Sequence, residues 1–390
     1  MSGMPSEPGS RSRGWQSVRE GCVLDRLAAL GVDTVASLPC DRTQEFCALI
    51  PERFRAVNLT REEDGIGICA GLAMAGGRPV LHMQSSGLGN SLNAIMSLTV
   101  TFGLPLPILA SWRGVYREAI PAQVPFNRAV PEVLRALGIP YTVIRSPGDE
   151  ELIDEVVRDA YDSMRPHVGL ILPSFWEGAE EACPAEQVVP ARARESAVDY
   201  RRTFRDPAMT RNDAIRAIAN ILDGEAVVAN IGVPSKELYA ARDRDLNFYM
   251  LGSYTQATPI GLGLSLATDR DVVVLDGDGS LLGTAVLPVV AAEAPENLTI
   301  VCLDNGAFGS TGNQPTPASG LVDMEFLARA AGIRQTCKVQ DEEELAEAWE
   351  DRGRGPNFIH VVLRPGNAPV PNIPLAPAEI RERFVRVIGR

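Results

Sequence analysis

Lysine is almost missing from this 390-residue chain: Lys236 and Lys338 are the only two among 37 basic residues, and the rest are arginine. The skew reads as GC-rich coding rather than as chemistry. Histidine is nearly as scarce. His82, His167 and His360 lie far apart, which excludes a histidine-built zinc site. There is no C-x-x-C pair. The seven cysteines (Cys22, Cys40, Cys47, Cys69, Cys183, Cys302, Cys337) are odd in number and widely spaced, and several sit in apolar runs such as ICAG and VCLD. That excludes a disulfide framework and points to buried free thiols in a reducing cytoplasm. No run of about 18 apolar residues occurs, so no membrane-spanning helix is expected. Residues 1–14, MSGMPSEPGSRSRG, lack the apolar centre of a secretory leader and are expected to form a disordered polar tail. Positive charge is also short: 50 acidic residues face 37 basic ones, a net charge of −13, which argues against nucleic acid or an anionic membrane as a partner.

What is present is an ordinary globular composition, 45% apolar and 22% charged. The length suits two or three domains. Continuous apolar runs at 33–38, 79–83, 106–111, 168–173, 226–231, 271–276, 298–303 and 357–363 read as buried strands. Helical patterns lie between them at 16–30, 62–76, 90–102, 129–137, 150–163, 210–222, 257–267, 283–293, 323–332 and 342–350, and a short amphipathic helix closes the chain. Strands alternating with helices give an α/β fold class, with mostly parallel sheets flanked by helices. The rhythm breaks in a proline- and charge-rich stretch containing RARESAVDYRRTFRD. The expected organisation is therefore a first domain at 15–180, a linker at 181–208 and a second domain at 209–390.

In the second domain, strand 271–276 runs into Gly277-Asp278-Gly279-Ser280-Leu281-Leu282-Gly283 and then a helix. Glycines after a parallel strand let a phosphate approach the backbone and face a helix N-terminus. One reading is a dinucleotide-binding turn of an NAD-dependent oxidoreductase, with Asp304 as the ribose-binding acid. Asp278 argues against it, because a carboxylate between the glycines repels a bare pyrophosphate. A Mg²⁺ ion removes that conflict, since it takes carboxylate, other oxygen ligands and phosphate oxygens together. The next strand exits through Asp304-Asn305-Gly306-Ala307, 27 residues on from Asp278 to Asn305, where an amide oxygen can meet the same ion.

The pair GDG (277–279) and DNG (304–306) resembles the diphosphate-binding motif of thiamine diphosphate (ThDP) enzymes, with Asp304 replacing the usual first asparagine. The resemblance implies Asp278, the Asn305 side chain and the Ala307 carbonyl as metal ligands. It also implies a cofactor site made with Gly277, Gly279, Ser280, Phe308 and the segment Gly252-Ser253-Tyr254, whose Tyr254 stands where the family often has a methionine. Residues 61–71, REEDGIGICAG, match the family's E-x-x-x-x-G-x-x-x-G helix, with Glu62 as the catalytic acid on the cofactor's pyrimidine ring, and the following MQSSGLGNSLNAI adds Gly87 and Asn90. The two domains are thereby a pyrimidine-binding and a diphosphate-binding domain.

GLGN (87–90), SWRG (111–114) and FGSTGNQPT (308–316) are similar to the sulfopyruvate and phosphonopyruvate decarboxylases, and residues 116–144 and 371–384 look closer to the sulfopyruvate branch. This implies decarboxylation of 3-sulfopyruvate to sulfoacetaldehyde in coenzyme M biosynthesis, with phosphonopyruvate as the alternative substrate. A cationic anchor for the second anionic group is then expected among Arg113, Arg117 and Arg128, with Gln123 as a neutral donor. Ser310, Thr311 and Asn313 are further candidates for diphosphate or substrate contact. In this family the catalytic glutamate and the diphosphate site come from different chains, so the resemblance also implies a homo-oligomer.

Overall fold

The computed structural model describes residues 19–178 and 204–389. The expected tail at 1–14 and most of the expected linker lie outside them. The first domain runs α1 (Arg19–Ala29), β1 (Thr34–Ser37), α2 (Gln44–Leu49), β2 (Arg55–Asn58), α3 (Glu62–Met74), β3 (Pro79–Gln84) and α4 (Ser85–Ala94). It continues through β4 (Leu106–Ser111), α5 (Val124–Ala136), β5 (Tyr141–Ile144), α6 (Glu151–Asp162) and β6 (Pro166–Ile171). The second domain begins α7 (Arg211–Ile221), β7 (Ala226–Ala229), α8 (Val233–Ala241), β8 (Asn247–Tyr249), α9 (Ala257–Ala267), β9 (Val272–Gly277), α10 (Asp278–Gly283) and α11 (Val286–Glu293). It ends with β10 (Leu298–Asp304), the small hairpin β11 (Ala307–Phe308) and β12 (Gln314–Pro315), α12 (Met324–Ala331), β13 (Gln335–Val339), α13 (Glu342–Glu350), β14 (Asn357–Val362) and α14 (Pro377–Ile388).

Each domain holds a six-stranded sheet whose pairings are all parallel, in the orders β2-β1-β3-β4-β6-β5 and β13-β14-β10-β9-β7-β8. The eight strands expected from continuous apolar runs are the eight inner strands of these sheets. The four that the sequence did not announce, β2, β5, β8 and β13, are the four edges. Three of them are partly exposed, so they carry no continuous apolar run, and β8 has only three residues. Helix α4 also starts earlier than the expected 90, at Ser85, with Gly87 and Gly89 inside its first turns.

Helices α3 and α9 join the domains. Both are apolar nearly all round (EEDGIGICAGLAM and ATPIGLGLSLA) and buried along most of their length, as a helix packed on two sides must be. They cross at backbone contact. A Cβ on Gly71 would lie 2.2 Å from the Ile260 carbonyl oxygen, and one on Gly263 would lie 2.0 Å from that of Ile68. One apolar core therefore runs through both domains, from Val57 and Leu81 to Leu298 and Phe384. A second cluster lies on the far side of the first sheet, where Val23, Phe46, Ile153 and Val156 meet Val35 and Leu109. Helix α14 adds a polar tie, Arg381 donating to the carbonyls of Phe102 (3.0 Å) and Gly103 (2.7 Å). Residues 204–208 of the expected linker run beside Gln340, which accepts from the backbone N–H groups of Arg205 and Ala208.

Candidate active site

Strand β2 ends just before Glu62, the first residue of α3. Three acids fill this first turn, where they complement the helix dipole. Their surroundings differ. Glu63 pairs with Arg61 at 2.8 Å, and Asp64 is fully buried against the second domain. Glu62 alone is left half-buried, with Asn90 Nδ2 donating to its Oε2 at 3.1 Å. Gly87 backs it: a Cβ there would lie 2.5 Å from Glu62 Cγ. Gly87 and Asn90, expected as cofactor contacts, thus hold Glu62 itself.

The diphosphate turn is built where β9 passes into α10 and where β10 ends beside it. Asp278 is buried and accepts from Thr316 Oγ1, which the β11–β12 hairpin carries over it. Burial, with the neighbouring charge of Asp304, pushes its carboxyl up to about 6. Asn305 Oδ1 accepts from the Ala307 N–H at 3.2 Å, while its buried Nδ2 has no partner among the described residues. Ser280 is buried in the first turn of α10. The Phe308 ring covers Gly279, where a Cβ would stand 2.5 Å from Cε1. A buried carboxylate with a single hydroxyl donor suits a divalent cation, and the unmatched Asn305 N–H beside it suits an oxygen of the diphosphate that the cation carries, so these residues fit Mg²⁺–ThDP.

The segment 252–255 spans the domain boundary. Ser253, held at φ 67°, shares a 2.6 Å hydrogen bond with Ser97 of the first domain, and Gly252 packs on the same serine. The Tyr254 hydroxyl donates to the Gly279 carbonyl at 2.5 Å, and its ring lies against Gly283. Tyr254 is therefore tied to the diphosphate turn itself. Asp304, the substituted asparagine, is also committed: His360 Nε2 lies 2.7 Å from Oδ2, and the Gly306 N–H donates at 2.9 Å. That removes the ribose-binding acid on which the NAD reading depended.

The expected substrate anchors come out unevenly. Arg113 is buried, not a free cation. Its Nε and one terminal nitrogen fork onto Glu118 at 2.7 and 3.0 Å, and the other pairs with Asp41. This fork holds the Glu118 carboxyl well below the usual range. The expectation of an available Arg113 is corrected to that extent, because only the Asp41 side chain, 59% exposed, is placed to be displaced. Gln123 joins the same cluster, its Oε1 accepting from Gln84 (3.0 Å) and Asn127 (3.2 Å). Ser85 Oγ ties the cluster to α4, accepting from the Arg113 N–H at 3.0 Å and donating to Asn127 at 2.5 Å. Arg128 is exposed on α5, and Arg117 pairs with Glu177 on the surface. Ser310, Thr311 and Asn313 are exposed in the loop between β11 and β12. Thr316, Asn127, Asp41 and Glu118 escaped the sequence reading because a hairpin, helix α5, a short turn and a loop converge to bring them in, and no spacing signals that.

Residues 20–134 match the family model described as the thiamine pyrophosphate enzyme N-terminal TPP binding domain, and residues 234–361 match that of the C-terminal TPP binding domain. Over 93% of its length the chain is 47% identical to a sulfopyruvate decarboxylase of Methanosarcina acetivorans, of which the match covers 95%. The chain belongs to the thiamine pyrophosphate enzyme family. Within it, a phosphonopyruvate decarboxylase of Streptomyces viridochromogenes is 33% identical, the match covering 92% of each chain. The beta subunit of a Methanothermobacter thermautotrophicus sulfopyruvate decarboxylase is 45% identical over 46% of this chain and 96% of its own, and the alpha subunit 36% over 37% and 90%. As a member of the family, the protein is a TPP-dependent decarboxylase with its two TPP-binding domains fused in one chain.

Proposed function

We propose that the protein decarboxylates 3-sulfopyruvate to sulfoacetaldehyde and CO₂ with ThDP and Mg²⁺, as a cytoplasmic homo-oligomer acting in coenzyme M biosynthesis. The observation that carries the reading is the half-buried Glu62, backed by Gly87 and Asn90, on a helix that packs against the domain holding Asp278 and Asn305. Near-full-length similarity to a sulfopyruvate decarboxylase supports the substrate.

ThDP, when bound, supplies an electron sink for the pair left behind as the carboxylate departs. Asp278, the Asn305 amide oxygen and the Ala307 carbonyl would hold the Mg²⁺ of the diphosphate. Phe308 shields Gly279, and Tyr254 fixes the turn from the other side. Glu62 would accept from or donate to the pyrimidine ring of the bound cofactor and so govern proton movement there. The Arg113–Gln123 cluster presents donors to the substrate's sulfonate, the exposed Asp41 giving way to it. Arg113 is therefore a conditional anchor, with the exposed Arg128 as the other candidate. In this chain the α3–α9 contact is made between its own two domains.

Side-by-side measurement of CO₂ release from sulfopyruvate and phosphonopyruvate, with and without ThDP and Mg²⁺, tests the reading. Preference for sulfopyruvate supports it. Preference for phosphonopyruvate reassigns the substrate, and no ThDP-dependent release from either defeats it.

A further inference from the structure

A cofactor gripped at both ends by different domains reacts well only if the two grips stand at a fixed separation, and an error of about 1 Å can cost about 10²-fold in rate. Three hydrogen bonds bracket Glu62, and all of them end on the two residues that follow α10. Thr60 Oγ1 donates to the Ala285 carbonyl at 2.8 Å. Thr284 Oγ1 donates to Asp64 Oδ1 at 2.8 Å, and the Ala285 N–H donates to Asp64 Oδ2 at 3.2 Å. Because α10 opens with Asp278, a single short helix links the expected metal ligand to the turn that Asp64 holds.

Asp64 is fully buried, and a buried carboxylate is costly unless its oxygens are well matched. Here both oxygens are matched by donors from the other domain, while Glu63, one residue away, is satisfied by Arg61 in its own. The neighbouring helix bonds run the same way: the Gly67 N–H donates to Gln256 Oε1 at 3.0 Å across the same boundary.

We infer that Asp64 is a positioning residue: with Thr60 it clips the first turn of α3 onto Thr284–Ala285 and so sets where Glu62 stands relative to the diphosphate turn. The inference rests on the reading of Glu62 as the acid that acts on the cofactor. It does not depend on which keto acid is the substrate.

The test is exchange of the C2 proton of bound ThDP in D₂O, quenched in acid and read by proton NMR, on the full chain with Mg²⁺ and no keto acid. In D64A the exchange is expected to slow by about 10–100-fold while cofactor affinity, measured by equilibrium dialysis, stays near wild type. D64N keeps an acceptor for the Ala285 N–H and a polar partner for Thr284, and is expected to recover most of the rate. T284V removes one bond and no charge, and gives a smaller slowing if D64A does not fold. Wild-type exchange in D64A (in T284V, should D64A not fold), a loss explained entirely by weaker cofactor binding, or no recovery in D64N overturns the clip. Wild-type exchange in E62Q would instead overturn the role of Glu62, and absence of decarboxylation with either keto acid would overturn only the proposed function.

Discussion

Glu62, Glu63 and Asp64 have the same charge and nearly the same position in the chain, yet one meets an asparagine of α4, one an arginine and one the other domain. Replacing the first separates chemistry from binding: E62Q keeps the shape and loses the charge, so turnover is expected to fall by about 10²–10⁴-fold with ThDP still bound. Steady-state assays paired with calorimetric cofactor titration check both halves. D278A acts on the other end. Without the buried carboxylate proposed to hold the metal, the protein is expected to lose ThDP during gel filtration in Mg²⁺, which quantitation of the eluted cofactor shows directly. Asp278 was legible as a candidate because GDG and DNG are read from adjacent strand ends within one stretch of chain, and Glu62 because REEDGIGICAG carries its glycines at fixed spacing after it. The partners of Arg113 were not legible. Glu118 lies five residues on in an irregular loop and Asp41 opens a short 3-10 turn before α2, and neither spacing nor periodicity places such a carboxylate on a buried guanidinium.

Elements were legible in proportion to how completely they are buried. All eight inner strands announced themselves as continuous apolar runs, and α9 and α13 were placed at their observed bounds. Three edge strands failed the same criterion because water reaches one side of them, the buried β8 because it has only three residues, and α8 was missed as a short helix opening on Val233-Pro234. The glycines of α3 were legible as a motif, but their mechanical reason appears only in the crossing. Gly71 presents backbone to backbone, with 2.2 Å from a notional Cβ to the Ile260 oxygen. G71A is therefore expected to force the helices apart and destabilise the protein by about 1–3 kcal/mol or more, although alanine is the better helix former. Denaturant unfolding of G71A beside G76A, an open position where a Cβ meets nothing but φ is +94°, distinguishes crowding from backbone strain. Equal losses in the two variants would mean that the crossing has room to adjust.

At the scale of the whole molecule, the described parts of the two domains share one apolar core and few polar ties, and one of these ties, made through the fully buried Asp64, is titratable. The two halves match the alpha and beta subunits of a relative separately. Asp64 makes the contact between them in this chain depend on pH. Burial pushes its carboxyl up to about 6 from 3.8, against the lowering effects of Thr284, Ala285 and Arg61 and with a small further rise from Glu63. A group whose folded pKa is raised binds its proton more tightly in the native state. Its contribution to stability is therefore complete below about pH 4, and it is lost as pH rises through about 6. D64N removes the titration and keeps the shape. Between pH 4 and 7 the unfolding free energy of the wild type is expected to fall relative to that of D64N by about 2 kcal/mol. Every other titrating group cancels in that difference, provided it is unaffected by the substitution. Chemical denaturation of both proteins without cofactor, at four or five pH values, gives the two curves. Curves that run parallel would mean Asp64 titrates normally in the folded protein, and hence that the domain contact admits water at the point where Glu62 is held.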